Sequence, residues 1–255
     1  MDKQIWTCGQ GEAIIFIHGL VGNHTVFKEQ VAALSKCYYT VAYDMLGHGA
    51  EKGIAVNFEM ANLVNELLAV YNRLQIQQAN ICSLSFGTYI ANEFAYQYPE
   101  KVTSLCHIGA SYDNPSFFHE ELIKVWNKRE IHYRDWLQYY ACKMNPNNPV
   151  MRDPYAYKSR KIFQKYGGEI ASSVVMQALH YMLFGRVRSR LSKIKRPFLW
   201  VMGEYDHIRK TCLYDLHDIL PEVIYIELPG TPHVAHLYQT ELFNQTYQRF
   251  LLQHK

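Results

Sequence analysis

Four short stretches of this 255-residue chain carry side chains that could do chemistry together. Ser83-Leu84-Ser85-Phe86-Gly87 follows a compact apolar run and precedes a helical pattern. A sharp strand-to-helix turn of this kind lifts a serine hydroxyl clear of a sheet. It also aims the next backbone N–H at an oxygen that gains negative charge. Ser83 stands where the pattern G-x-S-x-G has its first glycine, and serine is small enough for the crowded backbones there. His18-Gly19-Leu20-Val21-Gly22-Asn23 ends an earlier apolar run. It could present N–H groups to such an oxygen, or simply turn the chain. Gly203-Glu204-Tyr205-Asp206 supplies a carboxylate able to orient an imidazolium, although a lone Asp is more often a loop acid or a helix cap. Gly230-Thr231-Pro232-His233 supplies a loop imidazole, with His236 close by among twelve histidines. The order Ser85, Asp206, His233 is the nucleophile, acid, base order of one class of serine triad.

These groups need a scaffold. Ile14–Ile17, Tyr38–Tyr43, Asn80–Leu84, Val102–Ile108, Phe198–Met202 and Val223–Leu228 are compact runs rich in β-branched and aromatic residues. Continuous runs suit strands buried on both faces, as in a parallel sheet. Met60, Leu63, Val64, Leu67, Leu68, Tyr71 and Leu74 repeat at helical spacing behind Asn57, a candidate N-cap. Strands alternating with helices predict a doubly wound α/β fold, in which ligands bind at the carboxyl ends of the strands. Each candidate group follows one of those ends. From Tyr112 to Lys195 the alternation stops, and helix-like stretches surround Asn145-Pro146-Asn147-Asn148-Pro149. This predicts a helical insertion, 112–195, between core segments 1–111 and 196–255.

Composition narrows the function classes. The chain is 49% hydrophobic and 19% charged, enough to bury a core and too apolar for disorder. Its net charge of +3 gives no electrostatic case for nucleic acid. The charge is uneven, however. The insertion holds 15 Lys/Arg against 7 Asp/Glu, a balance of +8, while the remainder holds 11 against 16, a balance of −5. Most of the basic residues read as solvated helix faces, especially from Arg186 to Arg196. A sharper reading puts a few at an entrance, attracting an anionic substrate or an acidic acyl carrier. No apolar leader is visible in Met1–Trp6 and no run is long enough to span a membrane. Six scattered cysteines without a C-x-x-C read as reduced thiols of a cytoplasmic protein, with neither a disulfide framework nor a metal site. No dinucleotide fingerprint follows the first strand, and no cofactor is expected.

On these anchors the chain resembles the α/β-hydrolase superfamily, in particular its small, cap-bearing esterase-like members. The anchors are Phe16-Ile17-His18-Gly19 with Gly22, Asp44-Met45-Leu46-Gly47-His48-Gly49, the Ser85 turn, Gly203-Glu204-Tyr205-Asp206 and Pro229-Gly230-Thr231-Pro232-His233. The resemblance implies Ser85 as nucleophile, His233 as base and Asp206 as acid. It also implies an oxyanion hole from the N–H groups of Leu20 and Phe86, a structural role for the Asp44–Gly49 loop, and a cap formed by the insertion. The activity implied is that of a serine hydrolase on an ester, thioester or related acyl bond of a small molecule. A lyase or C–C bond-cleaving enzyme could use the same triad, and a non-catalytic receptor is the third alternative. Asp113, after Val102–Ile108, is the other possible acid. Cys82, Cys106 and His107 are expected in the core, and His18 as a brace of the oxyanion loop.

Overall fold

The computed structural model describes residues 5–147 and 153–254. Met1–Gln4, part of the stretch read for a leader, and Asn148-Pro149 of the insertion lie outside them. Seven strands form one sheet: β1 Ile5–Cys8, β2 Ala13–Ile17, β3 Tyr39–Tyr43, β4 Ala79–Leu84, β5 Val102–Ile108, β6 Phe198–Gly203 and β7 Ile224–Leu228. Their spatial order is β1-β3-β2-β4-β5-β6-β7. All neighbours pair in parallel except β1, which runs antiparallel to β3. The six expected strands are present. β1 is an addition, a four-residue edge strand whose residues are half-buried or exposed and which therefore lacks a continuous apolar signature. The ring of Trp6 stacks on His24 and ties this edge to the loop after β2.

The helices are α1 Lys28–Leu34, α2 Met60–Arg73, α3 Gly87–Gln97, α4 Phe117–Asn127, α5 Tyr133–Met144, α6 Ala156–Gly167, α7 Ser172–Phe184, α8 Val187–Leu191, α9 His207–Lys210, α10 Leu216–Ile219, α11 Ala235–Tyr238 and α12 Thr240–Gln253. α2 buries Leu63, Val64, Leu67, Val70 and Tyr71 along one stripe, as its spacing requires. Its N-cap is Glu59 rather than Asn57, whose carbonyl instead accepts from the Asn62 side chain at 3.1 Å.

Two apolar layers sandwich the sheet. One face packs Phe16, Cys82, Cys106 and Ile108 against Phe27 and Leu34 of the α1 side and Phe243, Tyr247 and Phe250 of α12. The other face packs Ile15, Ile81, Leu105 and Trp200 against α2 and α3. That second layer continues without a break into Leu122, Trp136, Leu179 and Leu183 of the helices between β5 and β6. Among the described residues, this stretch contains α4 to α8 and no strand. Trp136 Nε1 donates to Val125 O at 2.9 Å and Tyr133 Oη to Gly167 O at 2.9 Å, joining α5 to α4 and to the end of α6.

The charge asymmetry of the sequence has a local destination. Arg188 donates through Nε and Nη2 to Asp215 Oδ2, at 2.9 and 2.6 Å. Arg190 donates to Glu93 Oε2 on α3, which also accepts from Tyr181 Oη. Lys124 and Lys143 both pair with Glu121. Cations of the β5–β6 helices thus dock on acids of the core and of their own helices. Among the described residues, no helix is long and apolar enough to cross a membrane.

Candidate active site

Ser85 occupies the turn between β4 and α3 with φ of 50°, a left-handed conformation that costs a non-glycine residue about 1–2 kcal/mol. Two contacts hold it there. Its N–H donates to Ile108 O at 2.8 Å, and Thr88 Oγ1 donates to its carbonyl at 2.6 Å. Gly87 is required by close approach: a Cβ there would lie 2.5 Å from His18 O and 2.6 Å from Ile17 O. The helix can therefore start directly against the end of β2, and the turn stays sharp.

The His18–Asn23 loop passes beside this serine. A Cβ added at Gly19 would lie 3.1 Å from Ser85 Cβ. Among the described residues, neither Leu20 N–H nor Phe86 N–H donates to a protein acceptor. Phe86 is the N-cap residue of α3, at the end of the helix where backbone amides lack intrahelical acceptors. Histidines brace the loop from beneath. Met45 N–H donates to His18 Nε2 at 2.9 Å, which leaves the ring proton on Nδ1, 2.8 Å from Gly19 O. Val21 N–H donates to His48 Nε2 at 3.3 Å, while His48 Nδ1 faces Leu46 O at 3.0 Å. Asp44 accepts from both the backbone and the ring of His24. His18 is thus a brace, as expected, and the Asp44–Gly49 loop supplies the other half of it.

Asp206 and His233 meet directly. His233 Nδ1 lies 2.6 Å from Asp206 Oδ2. Their loops are joined by backbone: Tyr205 N–H donates to Thr231 O at 2.9 Å, and Glu204 N–H to Leu228 O at 3.2 Å. The His233 ring packs on Gly109, where an added Cβ would lie 2.6 Å from its Cε1 and Nδ1. Gly109 follows Ile108, the acceptor of the Ser85 N–H, so serine and imidazole share the end of β5 as a common wall. Among the described residues, no hydrogen bond links Ser85 Oγ to His233. Catalytic hydrogen bonds often tighten only when substrate is bound.

The other sequence candidates lie elsewhere. Asp113 Oδ1 accepts from Arg188 N–H at 2.6 Å and caps the start of α8. Cys82 and Cys106 are fully buried, and all six cysteines are free thiols. His236 is buried against Phe27, its Nε2 3.2 Å from Val26 O. Among the described residues, no group of three or more His, Cys, Asp or Glu could hold a metal ion.

One charged residue at the site escaped the sequence analysis. Arg209, only 12% exposed, reaches back one turn to donate to Asp206 Oδ1 at 2.9 Å. Burial would raise the Asp206 carboxyl, but Arg209 first and His233 second hold it far below the usual carboxylate range. His233 is itself lowered, by burial and then by Arg209, with Asp206 opposing. A crevice lined by Met144, Asn145, Asp153, Tyr205, His207 and His233, among others, opens beside this pair.

Comparison with known proteins agrees with this architecture. A family model described as "alpha/beta hydrolase fold" matches residues 12–240. An uncharacterized protein of Mycobacterium tuberculosis is 32% identical over 102 residues, which are 40% of this chain and 30% of that protein. The chain therefore aligns with less than a third of that relative's length. The 3-oxoadipate enol-lactonase 1 of Acinetobacter baylyi is 24% identical over 243 residues, covering 94% of this chain and 88% of its own. Among solved structures, a thermophilic esterase from Thermogutta terrifontis superposes with a TM-score of 0.78 at 20% identity, over 99% of this chain and 94% of that one. With the family match spanning the strands and the loops that carry Ser85, Asp206 and His233, the chain belongs to the α/β-hydrolase fold family.

Proposed function

We propose that this protein is a serine hydrolase that cleaves an ester, thioester or related acyl bond of a small substrate, with Ser85 as nucleophile, His233 as general base and Asp206 as its orienting anion. The observation that carries the reading is the 2.6 Å contact of His233 Nδ1 with Asp206, on a wall shared with a serine held in a left-handed strand-to-helix turn. The ionised Asp206 accepts a hydrogen bond from His233 Nδ1–H, which keeps that proton on Nδ1 and leaves the Nε2 lone pair to take the proton of Ser85 Oγ. Oγ then bonds to the acyl carbon, and the carbonyl oxygen gains charge facing the N–H groups of Leu20 and Phe86. His233 Nε2 passes its proton to the leaving group as the bond to the acyl carbon breaks. Water, deprotonated by the same imidazole, releases the acid and restores Ser85. This chemistry needs only side chains, backbone and water. Similarity to proteins named as an enol-lactonase and an esterase supports hydrolysis of an acyl–oxygen bond.

In this reading, residues 112–195 form a cap over a core of 1–111 and 196–255. An anionic or carrier-bound substrate receives less support than the insertion's charge suggests. Arg188 and Arg190 are taken by Asp215 and Glu93, and the crevice beside His233 is lined by the carboxylates of Asp153 and Asp206.

A fluorophosphonate probe followed by peptide mapping tests the assignment. Modification of Ser85, abolished in Ser85→Ala, is expected, together with turnover of some member of a panel of acyl esters and thioesters. Labelling without turnover of any member would point to C–C cleavage or lyase chemistry, and absence of labelling to a ligand receptor.

A further inference from the structure

We propose that Arg209 is a positioning residue of the triad, clamping one oxygen of Asp206 so that the other stays fixed on His233. The inference rests on the triad reading above. A buried carboxylate shared between one imidazole and solvent can rotate about its terminal torsion. Here Oδ1 is held by Arg209 Nη1 at 2.9 Å and Oδ2 lies 2.6 Å from His233 Nδ1, so both oxygens are assigned. The clamp is local. Asp206 immediately precedes α9, and Arg209 lies one turn later on that helix, so no other element is needed to bring the two together. Both partners are shielded from water, Asp206 at 2% and Arg209 at 12% exposure. An ion pair with so little solvent access is weakly screened and geometrically exacting.

The clamp has a second effect. In a triad with an unpaired carboxylate, the anion raises the imidazole and makes it a base only at higher pH. The fixed positive charge of Arg209 opposes that rise, and His233 lies below its ordinary value through burial first and Arg209 second. The other titratable groups that face this pair include Tyr140, on α5; Asp153, before α6; Tyr205 and His207, flanking Asp206 in the chain; Cys212, after α9; Tyr225, on β7; and His236, on α11. None of them carries a permanent positive charge. Arg209 therefore keeps His233 unprotonated, and the site active, into mildly acid solution.

The test is the pH dependence of kcat/KM for phenyl acetate in wild type, Arg209→Gln and Arg209→Lys, with circular dichroism as the check on folding. Wild type is expected to show an acid limb below about 6.5, the ordinary histidine value. In Arg209→Gln the limb should move up by about half a pH unit or more, as loss of a charge a few ångströms away requires. In the same variant kcat should fall about tenfold or more with KM within about twofold. Arg209→Lys should restore the limb. A wild-type limb at or above about 7, or a limb that does not move in folded Arg209→Gln, overturns the proposal. The first of these readings needs no variant and stands even if Arg209→Gln does not fold. Ser85→Ala separates the two layers: if it stays active the triad reading falls, and if it is inactive while the limb is insensitive to Arg209, only the clamp falls.

Discussion

Ser83 on β4 and His107 on β5 are register partners, and Ser83 Oγ lies 2.9 Å from His107 Nδ1. His107 Nε2 continues to Asn92 Oδ1 on α3 at 2.8 Å, so the ring proton sits on Nε2 and Ser83 donates to Nδ1. All three side chains are buried. The serine two residues before Ser85 is therefore part of a polar bridge under the strand-to-helix turn, running from β4 through β5 to the helix that begins at Gly87. A hydroxyl is accommodated in place of glycine because a histidine on the neighbouring strand satisfies it.

Ser83→Ala should consequently destabilise the fold by about 1–3 kcal/mol, the cost of leaving a buried imidazole nitrogen without its donor. Urea denaturation would show this as a lower midpoint with an unchanged slope. An unchanged midpoint would mean that the bridge contributes nothing.

Acid should weaken the protein before its carboxylates titrate. Burial pushes His107 and His236 from 6.5 down to about 3. The unfolded chain therefore binds these protons first as the pH falls. Stability is complete above about 6.5 and is lost between there and about 3, at about 1.4 kcal/mol per pH unit for each ring well below 6.5. Urea midpoints at pH 7, 6 and 5 should fall in that order. Equal midpoints would refute neutral burial of both rings.

The two candidate acids should separate cleanly. Asp206→Asn removes the anion beside His233 and should slow ester turnover by about 10²–10⁴-fold. Asp113→Asn loses only a cap on α8 and should stay within a few-fold of wild type. Initial rates on one ester decide it, and the reverse ranking would transfer the acid to β5.

The insertion's paired cations should matter to stability in proportion to what they neutralise. Arg190→Met leaves Glu93, 8% exposed, without its cation and should cost about 1–3 kcal/mol in thermal or urea unfolding. Lys193→Met, which removes a cation lying over the Tyr96 ring, should change stability by less than about 0.5 kcal/mol. Equal effects would mean that the Glu93 pair does not help dock the insertion.

What the sequence disclosed depended on how local the signal was. Buried parallel strands announce themselves as unbroken apolar runs, whereas β1, half-exposed at the edge, does not. Helix α2 was legible from its stripe, but its cap fell two residues beyond Asn57 because the chain there is still extended at Glu59, with ψ of 146°. The serine turn and the loops of Asp206 and His233 have characteristic small residues. Arg209 has none: in His207-Ile208-Arg209-Lys210 it resembles a solvated helix end, and only the backward reach of its side chain makes it part of the site. The surplus of positive charge between Tyr112 and Lys195 was countable, yet its partners Asp215 and Glu93 are distant in sequence, so only the folded topology could pair them.

The helices between β5 and β6 have one more consequence. β5 and β6 are parallel neighbours in the sheet, paired from Leu105 with Phe198 to Ile108 with Val201, so the chain leaves the carboxyl end of β5 and must cross back to the amino end of β6 before it pairs again. Whatever happens along that excursion, in length or in composition, no rung of the ladder has to be rewritten. Insertions and deletions there are topologically silent. Proteins that share this sheet can therefore differ along the excursion while positions 85, 206 and 233 keep their places after β4, β6 and β7, and a graft of the whole excursion would need two joins at opposite ends of the strands, one after Ile108 and one before Phe198.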